Sequence, residues 1–430
     1  MIFIGLHWVI LMKNNFIYYL KLFLNNFGFA ISPFIGMIYT LIVIPILSKS
    51  SIEYTSSFGL YISISTMISF SLSGMTPSII KYNKSGISLE RLKIIIFSWA
   101  SCLCFFVLFL IIFFIIFYGE FNILYGYFVV LSPVMFLSMV NNYFNCVLVM
   151  SNRGSEVFKV SVFIIIVQFL AFFFVYVLLD NVFLSLTVPL ILSSMLNYFI
   201  LNNKTRHIVS KNNNEKSGSF FAIIKDIHLN SLDAVVISIT FTIVVWSSSQ
   251  ISEASIIIST MTITILRLTI LPLKRFGIAY ASQINSLDLV GKEKFILNTL
   301  IVKYIYIILL LPIVLYLFAV TIYNAGYNNL MYIFIIIALQ MLIEPIASYL
   351  TSISKYLGFG KLNLKYTIIY QWFFCLPLIG LLLFNQFLTV ELLWGVMFFG
   401  RLIFSLLYLN LLLNFKRNKK LALSSGGVSH

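Results

Sequence analysis

The chain has 430 residues, of which 61% are hydrophobic and 10% charged, with 43 Phe, 24 Tyr and a mean hydropathy of +1.03. Soluble domains carry roughly 45–50% apolar and 25% charged residues, and one globular core has too little interior for this many apolar side chains. A soluble enzyme, a secreted disulfide scaffold and a disordered protein are therefore excluded, and the formal charge of +15 is better explained by membrane topology than by nucleic acid.

In chain order, Met1 to Met12 is apolar but has neither a basic n-region nor a small-residue cleavage site, so it does not read as a signal peptide, and Met12-Lys13 is an alternative start. Twelve apolar runs then follow, each long enough to cross a bilayer as a helix: 28–47, 57–80, 94–118, 124–149, 158–179, 182–201, 228–248, 252–272, 297–322, 329–351, 364–384 and 388–413. The even-numbered connections hold the bases: Lys81, Lys84, Arg91 and Lys93; Arg153 and Lys159; Lys204, Arg206, Lys211, Lys216 and Lys225; Lys274, Arg275, Lys292 and Lys294; Lys355, Lys361 and Lys365. The odd-numbered ones hold Lys49 as their sole base, beside Glu53, Glu120, Asp180, Glu253 and Glu391. Bases favour the cytoplasmic side, which predicts that both termini are cytoplasmic, and the tail Lys416, Arg417, Lys419, Lys420 agrees.

The two halves repeat in a register of roughly 200 residues, as parallel transporter repeats do. Ser50-Ser51-Ile52-Glu53 before the second run answers Gln250-Ile251-Ser252-Glu253 before the eighth, and Lys84-Ser85-Gly86 answers Val290-Gly291-Lys292. Ser151-Asn152-Arg153-Gly154 likewise answers Lys355-Tyr356-Leu357-Gly358. The expected organisation is an all-α polytopic membrane protein with about twelve transmembrane helices in two parallel six-helix repeats around a central cavity. Its parts are an N-terminal bundle over 1–202, a cytoplasmic linker over 203–225, a C-terminal bundle over 226–415 and a cytoplasmic tail over 416–430.

A charge near the bilayer centre costs about 2.5–3.5 kcal/mol on insertion scales, so each buried one needs a partner or a watery cavity. Glu253, Thr260, Thr264, Arg267 and Lys274 fall on one stripe of the eighth run, with Arg267 deep in the span. Gln340, Glu344, Thr351 and Lys355 share a face of the tenth, and Asp226, Asn230 and Asp233 share one in the seventh. Lys303 and Arg401 complete the set. Two readings stay open for these groups: a cavity that receives a ligand, or a structural Arg–Glu ion pair that locks two helices. The N-terminal half offers neutral groups instead, Ser65, Ser69 and Ser73 in the second run and Asn141, Asn142 and Asn145 in the fourth, which can bind sugar hydroxyls or glue helices. Trp246, Trp372 and Trp394 read as interfacial belt residues or sugar-stacking rings. Prolines in or beside the runs, among them Pro33, Pro133, Pro272 and Pro345, predict kinks.

No catalytic constellation is predicted. His7, His207, His228 and His430 are scattered, there is no Gly-rich phosphate loop, and Cys102, Cys104, Cys146 and Cys375 lie in apolar runs without metal-site spacing. The odd loops are also too short to carry the groove of a membrane polymerase.

With twelve helices in two repeats, the segment Leu47-Ser48-Lys49-Ser50-Ser51-Ile52-Glu53-Tyr54 leading through Phe58-Gly59-Leu60-Tyr61, and Ile79-Ile80-Lys81-Tyr82 beyond it, the chain resembles the polysaccharide-transporter branch of the MATE-like (MOP) flippase superfamily. Within that branch it is most similar to the O-antigen flippases of Wzx type. The resemblance implies a bacterial inner-membrane protein, not an enzyme, that moves an undecaprenyl-diphosphate-linked oligosaccharide from the cytoplasmic to the periplasmic leaflet by alternating access. It implies a cationic cavity, for which the residues of matching type and depth are Arg267, Arg401 and Lys303, with Asn141 and Asn145 as further substrate-binding candidates. It implies no cofactor beyond coupling to H+ or Na+, for which Glu344 and Asp233 are the acids, and it names the O-antigen polymerase and chain-length regulator as partners. The alternatives are an ion-coupled small-molecule exporter of the same fold and a membrane-embedded polymerase or acyltransferase. The run 28–47 has no acid, unlike many drug-exporting relatives.

Overall fold

The computed structural model describes residues 37–72, 74–118, 122–151, 153–210, 218–284, 303–316, 318–320, 330–356 and 360–424. The start of the first predicted run with Pro33, together with His7, Ser73, the centre of the linker and the opening of the ninth run, lies outside these residues.

The architecture is all-α. The first half comprises α1 (Met37–Ser48), α2 (Ile52–Phe70), α3 (Met75–Lys84), α4 (Leu89–Tyr118), α5 (Ile123–Met150), α6 (Gly154–Leu179) and α7 (Val182–Ser210). The second comprises α8 (Phe220–Ser249), α9 (Glu253–Ile284), α10 (Lys303–Val320), α11 (Leu330–Tyr356), α12 (Gly360–Ile368), a π-helical turn over Ile369–Cys375, α13 (Leu376–Phe384) and α14 (Val390–Ser424). Among the described residues, nine helices are long and apolar enough to cross a membrane. Shorter apolar helices, α1 among them, account for further predicted runs. The helices α7 and α8 run past their apolar stretches into the 203–225 connection.

Local chemistry explains where the helices start. Ser51 caps α2, its Oγ accepting from the Tyr54 N–H, and Ser252 caps α9 in the same way, accepting from the Ser255 N–H at 3.1 Å. Both anchor segments read from the sequence thus supply a serine N-cap and a glutamate in the first helical turn, although the caps are 201 residues apart and the glutamates 200. The second predicted span is broken rather than continuous. Helix α2 ends at Phe70 and α3 starts at Met75, and at the break Gly74 donates its N–H to Ser231 Oγ of α8 at 2.7 Å. A Cβ on Gly74 would lie 2.4 Å from the Ile227 carbonyl oxygen, so only glycine lets α8 come this close.

Two apolar cores organise the molecule. One joins α2, α5, α8, α9, α11 and α14, with Phe58, Phe241, Met261, Trp394 and Phe404 among its members. The other lies towards the basic end of the first half and takes in Ile223, Ile224 and Ile227 from the first turns of α8. The second half is therefore keyed into the first. Helix α9 over Glu253–Ile270 is the most enclosed of the candidate spans, whereas α4 and α6 leave Phe105, Phe109, Phe117 and Phe173 exposed, as lipid-facing helices do.

The π-helical turn is held by a close contact. A Cβ on Gly400 of α14 would lie 2.2 Å from Cys375 Sγ. Gly400→Ala is therefore expected to lower the melting temperature of the purified protein, at about 1–3 kcal/mol for overpacking, and Cys375→Ala in the same chain should recover most of it. An unchanged melting temperature would show that α14 can move away at no cost.

Candidate functional site

The halves meet where α2 lies alongside α9 and α8. Gly59 and Thr260 approach so closely that a Cβ on the glycine would lie 2.5 Å from Thr260 Oγ1. Seven residues further along both helices, Arg267 Nη1 donates to Thr66 Oγ1 at 3.2 Å, a contact spanning 201 residues. The same offset separates Gly59 from Thr260 and the two capping serines, Ser51 from Ser252. Helices α2 and α9 therefore run parallel, and two contacts at the same offset join them, with the charge on the α9 side.

Arg267 is 5% exposed. Its guanidinium lies between the rings of Phe70 of α2 and Phe241 of α8, 5.6 and 5.9 Å from their centroids, which stabilise a cation by their quadrupoles. Thr66 gives its own proton to the Ile62 carbonyl at 2.6 Å, which turns an oxygen lone pair towards the arginine. Nη1 is thereby engaged, while Nε and Nη2, the side-on fork of the guanidinium, have no hydrogen-bond partner among the described residues. Thr260 Oγ1 is buried without a partner as well. Arg267, Thr260 and Thr264 line a thin cleft with Gly59, Ile62, Ser63, Val245 and Ile263, too narrow for a water molecule. Of the stripe read from the sequence, Thr260, Thr264 and Arg267 reach this cleft, Glu253 is exposed, and the Lys274 side chain lies outside the described residues.

Arg401 is placed differently. Its Nε and Nη2 donate to the two carboxylate oxygens of Glu344 at 2.8 and 2.9 Å, a bidentate fork between α14 and α11, with Glu344 fully buried. The ring of Phe404 lies 4.9 Å beneath the guanidinium. Nearby, Thr240 of α8 donates to Gln371 Oε1 at 2.7 Å and Gln371 Nε2 donates to the Tyr370 hydroxyl at 2.8 Å, so the π-helical turn is tied to α8 by side chains. The Arg–Glu locking pair is the arrangement found for Arg401 and Glu344, and not for Arg267.

The remaining candidates do not line the cleft. Asp233 accepts from Asn363 Nδ2 of α12 at 3.2 Å. Lys303 is buried at the start of α10. Asn141 is buried and Asn145 half-buried on α5, and neither lines the cleft. Ser69 meets Ser138 Oγ at 3.4 Å, a helix-to-helix contact. Asp226 pairs with Lys81, whose pKa it raises by that hydrogen bond, and also accepts from the Tyr82 hydroxyl at 3.0 Å. Asn230 donates to Ser78 Oγ at 3.1 Å, and Trp99 Nε1 donates to His228 Nε2 at 2.9 Å. These contacts staple α3 and α4 to the start of α8. Trp246 and Trp372 are exposed, but Trp394 is fully buried and donates to Ser259 Oγ at 3.3 Å, so it is a core residue and not part of a belt. Thr66, Phe70 and Phe241 are the site residues that residue type alone does not mark, and the sequence register of 200 residues places Met67, not Thr66, opposite Arg267.

Sequence comparison finds neither a protein-family model nor a curated protein that matches the chain. Structure comparison does find matches. A MOP superfamily transporter from Pyrococcus furiosus superposes with a TM-score of 0.64 at 15% identity, covering 90% of this chain and 94% of that one. A multidrug resistance MATE family transporter in its outward-facing conformation gives 0.67 at 16% identity over 90% and 93%, and one in its inward-facing conformation gives 0.67 at 14% over 91% and 96%. This is the MATE fold. The matches cover about nine-tenths of the chain, so its all-helical architecture is that of the MATE transporters, twelve spans in two repeats. The neighbours with the MATE fold are transporters, and two of them represent opposite faces of an alternating-access cycle.

Proposed function

We propose that this protein is a flippase that carries an undecaprenyl-diphosphate-linked oligosaccharide from the cytoplasmic to the periplasmic leaflet of a bacterial inner membrane, with both termini cytoplasmic. The observation that carries this reading is the contrast between two arginines. In Arg401 the side-on fork is saturated by a carboxylate, whereas in Arg267 the same fork is buried, unpartnered among the described residues, and placed at the seam between the halves. A phosphate group presents the paired oxygens that such a fork grips. The charge lies where rocking halves would expose it first to one side and then to the other.

An inside-negative membrane potential contributes about 2.3 kcal/mol per charge per 100 mV, so a doubly charged headgroup is driven outward with roughly twice that. Any coupling to H+ or Na+ falls to the buried acids Asp233 and Glu344; Asn363 is one of the groups that donate to Asp233, and Arg401 donates to Glu344. One neighbour, the Pyrococcus furiosus transporter, is described as having a binding pocket of reverse polarity that suggests a different function, so pocket charge varies on this fold. The multidrug neighbours favour a second reading, a small-molecule exporter.

Deleting the gene in its host separates the two. The flippase reading expects loss of surface polysaccharide, with complete lipid-linked repeat units accumulating on the cytoplasmic leaflet. Units that reach the periplasm unpolymerised would indicate a polymerase, and an unchanged surface would leave the exporter.

A further inference from the structure

Arg267 belongs to the second half, but the groups that hold it are divided between the halves. Thr66 and Phe70 come from α2, and Phe241 comes from α8. Thr66 and Phe70 can therefore reach the guanidinium only while α2 lies against α9. Nε and Nη2 are buried, and the cleft that Arg267 lines is too narrow for water and so far too narrow for a phosphate group. Both demands fall on one side chain. A phosphate can reach Nε and Nη2 only if α2 draws away from α9, and that movement removes the Thr66 hydroxyl and the Phe70 ring.

We propose that Arg267 is a two-position clamp: Thr66 and Phe70 hold it when the seam is closed, a diphosphate holds it when the seam is parted, and the two states exclude each other. Thr66 and Phe70 are thus positioning residues. The proposal rests on the flippase reading for the nature of the anion and not on any property of the glycan. It explains how a headgroup gripped by a strong bidentate contact can also leave. Reclosing the seam returns a hydrogen-bond acceptor and an aromatic face to the guanidinium and removes the space that the phosphate occupied. The Gly59–Thr260 contact suits such a seam, because a glycine facing a threonine lets the two backbones close fully.

The test uses the full-length protein and inorganic diphosphate as probe. Ser63 lines the cleft and is 3% exposed, so the thiol of Ser63→Cys is shielded while the seam is closed. With Cys102, the exposed native thiol, replaced by serine, the rate at which a water-soluble maleimide labels Ser63→Cys reads the opening of the seam. Diphosphate is expected to raise that rate several-fold, and to have no effect when Arg267→Gln is added. Thr66→Val removes the competing acceptor and should lower the diphosphate concentration for half-effect by about tenfold, the scale of one hydrogen bond to a charged group. Thr66→Ser retains the hydroxyl and should behave like the parent.

A labelling rate that diphosphate lowers or leaves unchanged would overturn the clamp, as would a Thr66→Val protein that needs more diphosphate than the parent. If Arg267→Ala abolishes export while diphosphate leaves labelling unchanged, the clamp fails and the flippase reading stands. If diphosphate opens the seam but the deletion strain keeps its surface polysaccharide, the flippase reading fails and an anion-gated seam remains.

Discussion

Arg267→Ala is expected to abolish export of the lipid-linked substrate while leaving abundance and membrane insertion intact. Removing a charge from mid-span eases insertion by about 2.5–3.5 kcal/mol on translocon scales, so a failure to insert is not the expected cause of lost function. The seam should survive as well, because Thr66 retains its bond to the Ile62 carbonyl and Gly59 still packs on Thr260. Arg267→Lys keeps the charge but presents a point ammonium in place of a planar fork, so it should retain only part of the activity. The measurement is complementation of the deletion strain, scored by surface polysaccharide, with the membrane fraction blotted for the protein. Equal surface polysaccharide with Arg267→Ala and the parent would remove this residue from the site.

The largest effect on stability is expected at the other arginine. Glu344 and Arg401 are both buried and fully engaged with each other, so removing either one strands the partner's charge in a medium that cannot solvate it. Such single removals cost about 3–5 kcal/mol, whereas exchanging both partners for neutral groups of similar size is often nearly neutral. Glu344→Gln and Arg401→Met should each lower the melting temperature of the detergent-purified protein sharply, and the double variant Glu344→Gln/Arg401→Met should recover most of the loss. A Glu344→Gln protein that melts like the parent would show that the pair does not hold α11 to α14. The same double variant also bears on function. If the pair is a rivet and no substrate site, the repaired protein should export, whereas Arg267→Ala should not.

The two predictions separate residues that the sequence places in one class. Arg267 and Arg401 have the same chemistry and both lie inside apolar runs. Helical periodicity shows which face carries a charge, but not what stands opposite. The partner of Arg401 is 57 residues away and carries a carboxylate; that of Arg267 is 201 residues away and carries a hydroxyl. Trp394 makes the same point, since an aromatic residue near a helix end reads as interfacial until another helix covers it, as α9 does here through Ser259.

The repeat was legible only approximately. The sequence register aligns Glu53 with Glu253, 200 residues apart, and carried forward it misses by one residue the pairs that touch, Gly59 with Thr260 and Thr66 with Arg267, which are 201 apart. Nor does the register contain that α2 and α9 touch, since two repeats can equally be arranged with other helices between them.

From the sequence alone came the membrane solvent, the approximate positions of the spans, the doubling of the chain and the short set of buried charges. All of these follow from composition, from hydrophobic runs of bilayer length and from local capping, which act over a few turns of helix. The tertiary structure decided which charges are spent and which are open, where the second span breaks against α8, and that the Arg267 guanidinium stands at the seam between the halves. Those outcomes depend on contacts between helices far apart in the chain, where packing and the cost of an unpaired buried group choose the partner and local preference has no influence.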